Sequence, residues 1–128
     1  MPVSVERVHI ISDERGCVFE PLKPAAITSQ RNVHLVVTLP GAVRGNHCHR
    51  IGTETITVMG PALVRFREGN ALRDIVVPQD QAYQFVFRPG VAHAIQNTGS
   101  RSAIWVAFNT QEHDREHPDT VREVLITA

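Results

Sequence analysis

Apolar and polar residues alternate along this chain in short runs with a period of two, the pattern of half-buried strands. Residues 33–39 form the first clear run, and Pro40-Gly41 ends it. Over residues 54–59, Glu54, Ile56 and Val58 fall on one side and Thr55, Thr57 and Met59 on the other, and Gly60-Pro61 stops the run. Residues 62–67 and 71–77 flank Glu68-Gly69-Asn70, a hairpin signal. Residues 84–87 are rich in aromatics and halt before Pro89-Gly90, while 92–96 and 102–108 flank a turn at Asn97-Thr98-Gly99-Ser100. The last strand is expected over 120–127, after a polar loop around His117-Pro118. Residues 13–28 lack clean alternation and read as short strands or a loop packed on the edge of the sheet. Almost nothing reads as helix. Strands this short, with turn signals this regular, predict an all-β sandwich or barrel.

Size fits one domain over residues 1–128, with no internal boundary. A chain of this length buries roughly two-thirds of its unfolded surface, enough for a real core. Hydrophobic residues at 42% and charged residues at 20% place it among globular rather than disordered chains. Thirteen basic residues balance thirteen acidic ones, so there is no electrostatic footprint for nucleic acid. Lys23 is the only lysine, which leaves arginine to supply any anion contact. No run approaches the ~18 apolar residues of a membrane span, and the first residues lack the apolar stretch of a signal peptide. Cys17 and Cys48 make neither a disulfide framework nor a metal-type cysteine spacing. The expectation is a cytoplasmic protein with reduced thiols and no membrane or nucleic-acid partner.

The chemistry concentrates in residues 41–60. His47 and His49 lie two apart, so a strand projects both imidazoles from one face and turns Cys48 to the other. Glu54 follows after Arg50-Ile51-Gly52-Thr53, enough chain to turn and begin the next antiparallel strand with a carboxylate facing the two rings. A third imidazole comes from Arg88-Pro-Gly-Val-Ala-His93, where the strand leaving the Pro89-Gly90 turn presents His93, Ile95 and Asn97 on one face. Three imidazoles and a carboxylate from separate strands suit a borderline divalent ion: zinc first, with iron, manganese and nickel as alternatives. His9, His34, His113 and His117 lack such a context and read as solvated or loop residues.

These two segments resemble the two cupin motifs. The first is written Gly, five residues, His-x-His, three or four residues, Glu, six residues, Gly; here Gly41, His47, His49, Glu54 and Gly60 match, one residue short in the last interval. The second is Pro-x-Gly, two residues, His, three residues, Asn; Gly90, His93 and Asn97 match, and Arg88 replaces the first proline. The expected fold is therefore a cupin, a jelly-roll-like antiparallel β-barrel with its motifs at about 41–97. Within cupins, Arg44-Gly-Asn-His-Cys-His49 is similar to the Arg-Gly-Asn-His-Tyr-His of the C-terminal cupin domain of capsular-polysaccharide epimerase/reductases. The tail from Glu112 to Thr120 is similar to that domain's closing Asp-Pro-x-x-Pro-Asp-Thr. Asp13-Glu-Arg-Gly resembles the opening shared with deoxysugar 3,5-epimerases, and the likeness runs from about Asp13 to Val124. Related 3,4-ketoisomerases carry a similar Arg-Gly-x-His-x-His and use the histidines as acid and base without metal.

All of these relatives act on 4-keto nucleotide sugars, so the resemblance implies an epimerase or isomerase of such a sugar in polysaccharide or deoxysugar biosynthesis. With metal bound, His47, His49, Glu54 and His93 are ligands, and His34 or Tyr83 is left as the base. Without metal, His47 and His49 are themselves the acid/base pair. Arg44 is the expected contact for a diphosphate. Arg65, which shares a strand face with Arg67, is a second candidate, provided that face is the inner one. Arg15 reaches a partner's site if the opening segment is exchanged between subunits, as in the 3,5-epimerases. A homodimer is expected, because an open barrel leaves strand edges that a two-fold pairing hides. Two other functions fit the same ligands: a metal oxygenase and a non-enzymatic sugar- or metal-binding module.

Overall fold

The computed structural model describes residues 2–128, which form twelve strands and one short 3₁₀-helix. In chain order these are β1 (Ser4–Arg7), β2 (Ile11–Asp13), β3 (Gly16–Val18), the 3₁₀-helix (Pro24–Ser29), β4 (Asn32–Thr38), β5 (Val43–His49), β6 (Glu54–Met59), β7 (Ala62–Glu68), β8 (Ala71–Val77), β9 (Ala82–Phe87), β10 (His93–Asn97), β11 (Ala103–Asn109) and β12 (Thr120–Arg122). Two five-stranded antiparallel sheets, ordered β1-β9-β6-β11-β4 and β12-β5-β10-β7-β8, face each other as the cupin barrel. Among the described residues no helix is long and apolar enough to cross a membrane.

The alternation read from sequence is the alternation of burial. In β7, Ala62, Val64 and Phe66 are buried while Leu63, Arg65 and Arg67 are not. Their buried partners are Ile56 and Val58 from β6, Phe85 and Phe87 from β9, Ile95 from β10, and Trp105 and Ala107 from β11. β7 and β8 pair Glu68 with Ala71 across Gly69-Asn70, the two-residue connection that the turn residues require.

Three segments differ from the sequence expectation. Residues 13–28 supply the expected short strands and touch edge strand β1 through Lys23 and Glu6, but they do not stay at the edge. β2 and β3 stand off the barrel as a fully exposed hairpin, and the chain then crosses the outer face of the first sheet. There the Pro21 carbonyl accepts hydrogen bonds from the Thr57 hydroxyl (2.5 Å) and the Gln84 amide (2.9 Å), which buries the outer side of β6 and β9. The final strand ends at Arg122 rather than 127. Beyond it the side chain of Asn46 replaces a neighbouring strand: its oxygen accepts the amides of Leu125 and Ile126, and its nitrogen donates to the Ile126 carbonyl.

The third difference lies inside β5. His47 pairs with His93, but Gly45, not Asn46, pairs with Ala94, so one extra residue bulges out of the strand. Gly45 (φ 85°) and Asn46 (φ 56°) both adopt the left-handed region. The bulge reverses the alternation: Arg44, opposite Ile95, comes to share a face with His47 and His49. Uninterrupted alternation would have turned it away.

The outer face of the first sheet is bare at its β4 end. Val33, Leu35 and Val37 lie opposite Phe108, Val106 and Ile104 on β11, three apolar cross-strand pairs. Val33, Leu35, Val37, Leu39 and Ile104 are all more than half exposed.

Candidate metal centre and its cleft

Three strands bring four ligand-type side chains to one point. His47 and His49 come from β5, Glu54 opens β6 and His93 opens β10; one donor atom from each lies within 4.8 Å of every other. The Glu54 carboxylate is at the centre. Its Oε2 is 2.5 Å from His49 Nε2, 3.6 Å from His93 Nε2 and 4.0 Å from His47 Nε2.

His93 is held most rigidly. Its ring stacks on Phe87 at 4.2 Å between centroids, nearly parallel, and its Nδ1–H donates to the Val91 carbonyl at 3.0 Å. Because a carbonyl only accepts, the proton sits on Nδ1 and the lone pair on Nε2. That Nε2 is buried with no hydrogen-bond partner. An unpaired lone pair beside a buried carboxylate is costly unless a cation completes it, so the residues present fit a divalent ion.

The electrostatics agree. Burial pushes the His47 imidazole down to about 4, helped by His93 and opposed by Glu54, so the ring is neutral and ligand-ready at physiological pH. Burial alone would raise the Glu54 carboxyl, but the hydrogen bond to His49 and the nearby His93 outweigh it and hold the group below the usual carboxylate range.

A pH dependence follows for the metal-free protein. His47 takes up protons at lower pH when folded than when unfolded, so the unfolded state binds more of them between about 6.5 and 4. Its contribution, up to about 3 kcal/mol, is complete above pH 6.5 and disappears as pH falls to 4. Glu54, shifted down, loses its share only below the ordinary carboxylate range, in the same direction. The chelator-stripped protein should therefore show a Tm that declines steadily from pH 7 to pH 4.5; a flat Tm across that range would contradict it.

The cluster forms the floor of a cleft of about 630 Å³ between the sheets, a volume suited to a small-molecule ligand. Ile56, Ile95 and Ala107 line its apolar part, and Asn32, Asn109 and Thr120 add neutral polar groups. His34, on the inward face of β4, and Arg44 also reach it. Arg44 bridges the two sheets, donating from Nη2 to the Val37 carbonyl at 2.6 Å. Among the described residues Glu54 is the only carboxylate lining the cleft.

Three sequence candidates lie elsewhere. Tyr83 pairs with Val58, at the far end of β9 from the Glu54–Phe87 pair, and stacks behind Phe85. Arg65 faces outward because Val64 and Phe66 take the core side of β7; it is bound to Asp74 (2.7 and 2.9 Å) and to the Leu125 carbonyl. Arg67 likewise pairs with Glu123. Arg15 sits at the exposed tip of the β2–β3 hairpin, paired with Asp13. His113, read from sequence as a solvated or loop residue, is an exposed residue of the 110–119 connection that also borders the cleft. No local sequence signal placed it there.

Comparison with known proteins gives a consistent picture. The family model described as polysaccharide biosynthesis C-terminal domain matches residues 11–121. The UDP-2-acetamido-2,6-beta-L-arabino-hexul-4-ose reductase of Pseudomonas aeruginosa is 32% identical over 116 residues, covering 88% of this chain and 30% of its own. The capsular polysaccharide assembling protein CapF of Staphylococcus aureus superposes with a TM-score of 0.68 at 26% identity, covering 92% of this chain and 34% of its own. This chain thus spans about a third of the length of either. A 3,4-ketoisomerase of Thermoanaerobacterium thermosaccharolyticum in complex with TDP-4-keto-6-deoxyglucose superposes with a TM-score of 0.71, over 94% of this chain and 87% of its own. At 15% identity that likeness carries the fold alone.

Proposed function

The chain belongs to the polysaccharide biosynthesis C-terminal domain family, and on that premise we propose that it is a metal-binding cupin enzyme that epimerises or isomerises a 4-keto nucleotide sugar. The observation that carries this reading is the cleft itself: four ligand-type groups at its floor, with one guanidinium and two further imidazoles around them. Three imidazole nitrogens and one carboxylate oxygen favour zinc, with iron, manganese or nickel as alternatives. Bound there, a divalent ion supplies Lewis acidity toward a carbonyl oxygen.

The chain's own residues account for the remaining steps. Epimerisation beside a ketone removes an acidified proton and returns one to the opposite face, which needs a base and an acid near neutrality. His34 and His113 are the imidazoles in the cleft outside the ligand set, and they come from different segments, β4 and the 110–119 connection. Arg44 spends one nitrogen on Val37 and keeps its other N–H groups for a diphosphate. Among the described residues no carboxylate besides Glu54 lines the cleft, which favours an anionic ligand there. The Pseudomonas relative's name specifies a hexul-4-ose, which supports the substrate class.

Incubating the zinc-loaded protein with UDP- or dTDP-4-keto-6-deoxysugars in heavy water should introduce deuterium at the carbon beside the ketone. No incorporation with any of these sugars sinks the enzymatic reading.

The bare β4–β11 face supports a homodimer. Val33, Leu35, Val37, Leu39 and Ile104, each more than half exposed, form one apolar row of the kind that marks a protein–protein interface. Leu35 lies at the middle of the row, so Leu35→Glu should shift the sedimenting species from dimer to monomer. Wild-type protein sedimenting as a monomer at micromolar concentration removes the proposal. Free Cys17 and Cys48 fit a reducing compartment, the cytoplasm.

A further inference from the structure

The ligands His49 and Glu54 belong to different strands, joined only by residues 50–53. One side of this connection is tied to β11 and the residue after it: Thr53 N–H donates to the Thr110 hydroxyl at 3.0 Å, and Gly52 packs so closely on Asn109 that a Cβ there would lie 2.2 Å from its Oδ1. The other side hangs on one residue, Asp119. Its Oδ1 accepts the Ile51 amide (3.0 Å), its Oδ2 accepts the Gly52 amide (2.8 Å), and its carbonyl accepts the Arg50 amide (2.8 Å).

Oδ2 is also 3.8 Å from Nδ1 of His49, the ring nitrogen opposite the one facing Glu54. The next residues continue as β12, where Thr120, Val121 and Arg122 pair with His49, Cys48 and His47. Asp119 is thus fixed against the strand that carries two ligands, and it holds the turn leading to the third. Its carboxylate is largely shielded, with 19% of the side chain exposed.

We propose that Asp119 is the positioning residue of the metal centre, clamping the 50–52 turn and presenting a carboxylate to the outer nitrogen of His49. This rests on the metal-binding reading of the cluster. The chemistry favours it: a carboxylate behind a ligating imidazole holds the proton on the outer nitrogen and increases the ring's donor strength. At 3.8 Å the contact is beyond hydrogen-bond range, so Asp119 acts first through the turn and second through its charge. His93 has its own outer partner, the hydrogen-bonded Val91 carbonyl, and behind His49 the Asp119 carboxylate takes that place through its charge alone.

The test is zinc affinity of the metal-stripped chain, measured by competition with a chromophoric chelator. Asp119→Asn keeps one of the two acceptor oxygens that hold the turn and replaces the other, together with the charge, by an amide donor. It should bind zinc about 10- to 100-fold more weakly than wild type and alter the visible absorption of the cobalt-substituted site. Asp114→Asn, a change in the same connection at a carboxylate remote from the ligands, should leave both unchanged. Wild-type zinc binding with an Asp119→Asn affinity within twofold of it overturns this inference and leaves the metal centre standing. A wild type that binds no zinc overturns both. Should Asp119→Asn fail to fold, the wild type still decides: zinc-loaded protein should show a slowly exchanging His49 Nδ1–H in its ¹⁵N imidazole spectrum, and a fast-exchanging one overturns the inference.

Discussion

Glu54→Gln should lower zinc affinity at least about 100-fold, more than the 10–100-fold ascribed to groups behind a ligand. Glu54 is the only carboxylate in the cluster, and its Oε2 lies between 2.5 and 4.0 Å from all three imidazole Nε2 atoms. The amide keeps the shape but removes the one negative charge facing a dication, in a site where the group is 8% exposed and solvent screens little. Metal analysis should find about one zinc per wild-type chain and almost none in the variant after dialysis. A second reading comes from stability. Zinc at a hundred times the wild-type Kd raises wild-type stability by about 2.7 kcal/mol and should raise the variant's by about 0.4 kcal/mol or less. Full zinc occupancy in Glu54→Gln would strike the carboxylate from the ligand set. Deuterium incorporation into a 4-keto sugar should fall with occupancy; incorporation that persists in the zinc-free variant would instead favour His47 and His49 as a metal-free acid/base pair.

Gly45→Ala should destabilise the protein by about 2–4 kcal/mol, a large effect for one methyl group. Two causes add. The residue sits at φ 85°, where a side chain is strained, and its Cβ would lie 2.7 Å from the His93 carbonyl oxygen and 3.3 Å from Ala94 Cα. Both obstacles are backbone, so no side chain can swing aside. Relief requires moving β5 away from β10 where His47 faces His93, and zinc affinity should fall along with the urea midpoint. A midpoint indistinguishable from wild type would mean that the bulge tolerates a side chain. Gly69→Ala, at φ 61° with open space around it, isolates the conformational part of the cost.

Strands and core were legible because burial in a two-sheet barrel imposes a period of two, and that period is written directly in residues such as Ala62, Val64 and Phe66. The four ligand-type residues were legible for a related reason: His47 and His49 share a strand face, and Glu54 and His93 each begin a strand beside it. Residues 13–28 were not, because their places are taken by chance neighbours far along the chain, such as Thr57 and Gln84 at the Pro21 carbonyl. The end of the last strand was lost similarly, since Asn46 takes over the pairing of residues 125 and 126.

By itself, then, the sequence determined the all-β class, the apolar core and the composition of the four-residue cluster, all of which follow from local alternation and turn chemistry. Tertiary structure alone decided which charged and proton-bearing groups share the cleft. One extra residue at Gly45-Asn46 turns Arg44 inward, the register of β9 puts Tyr83 at the wrong end, core packing of Val64 and Phe66 turns Arg65 outward, and the returning tail brings His113 and Asp119 to the site. Period-two reasoning carries a residue's facing along one uninterrupted strand. It does not survive a bulge, and it says nothing of how far along a neighbouring strand a residue sits.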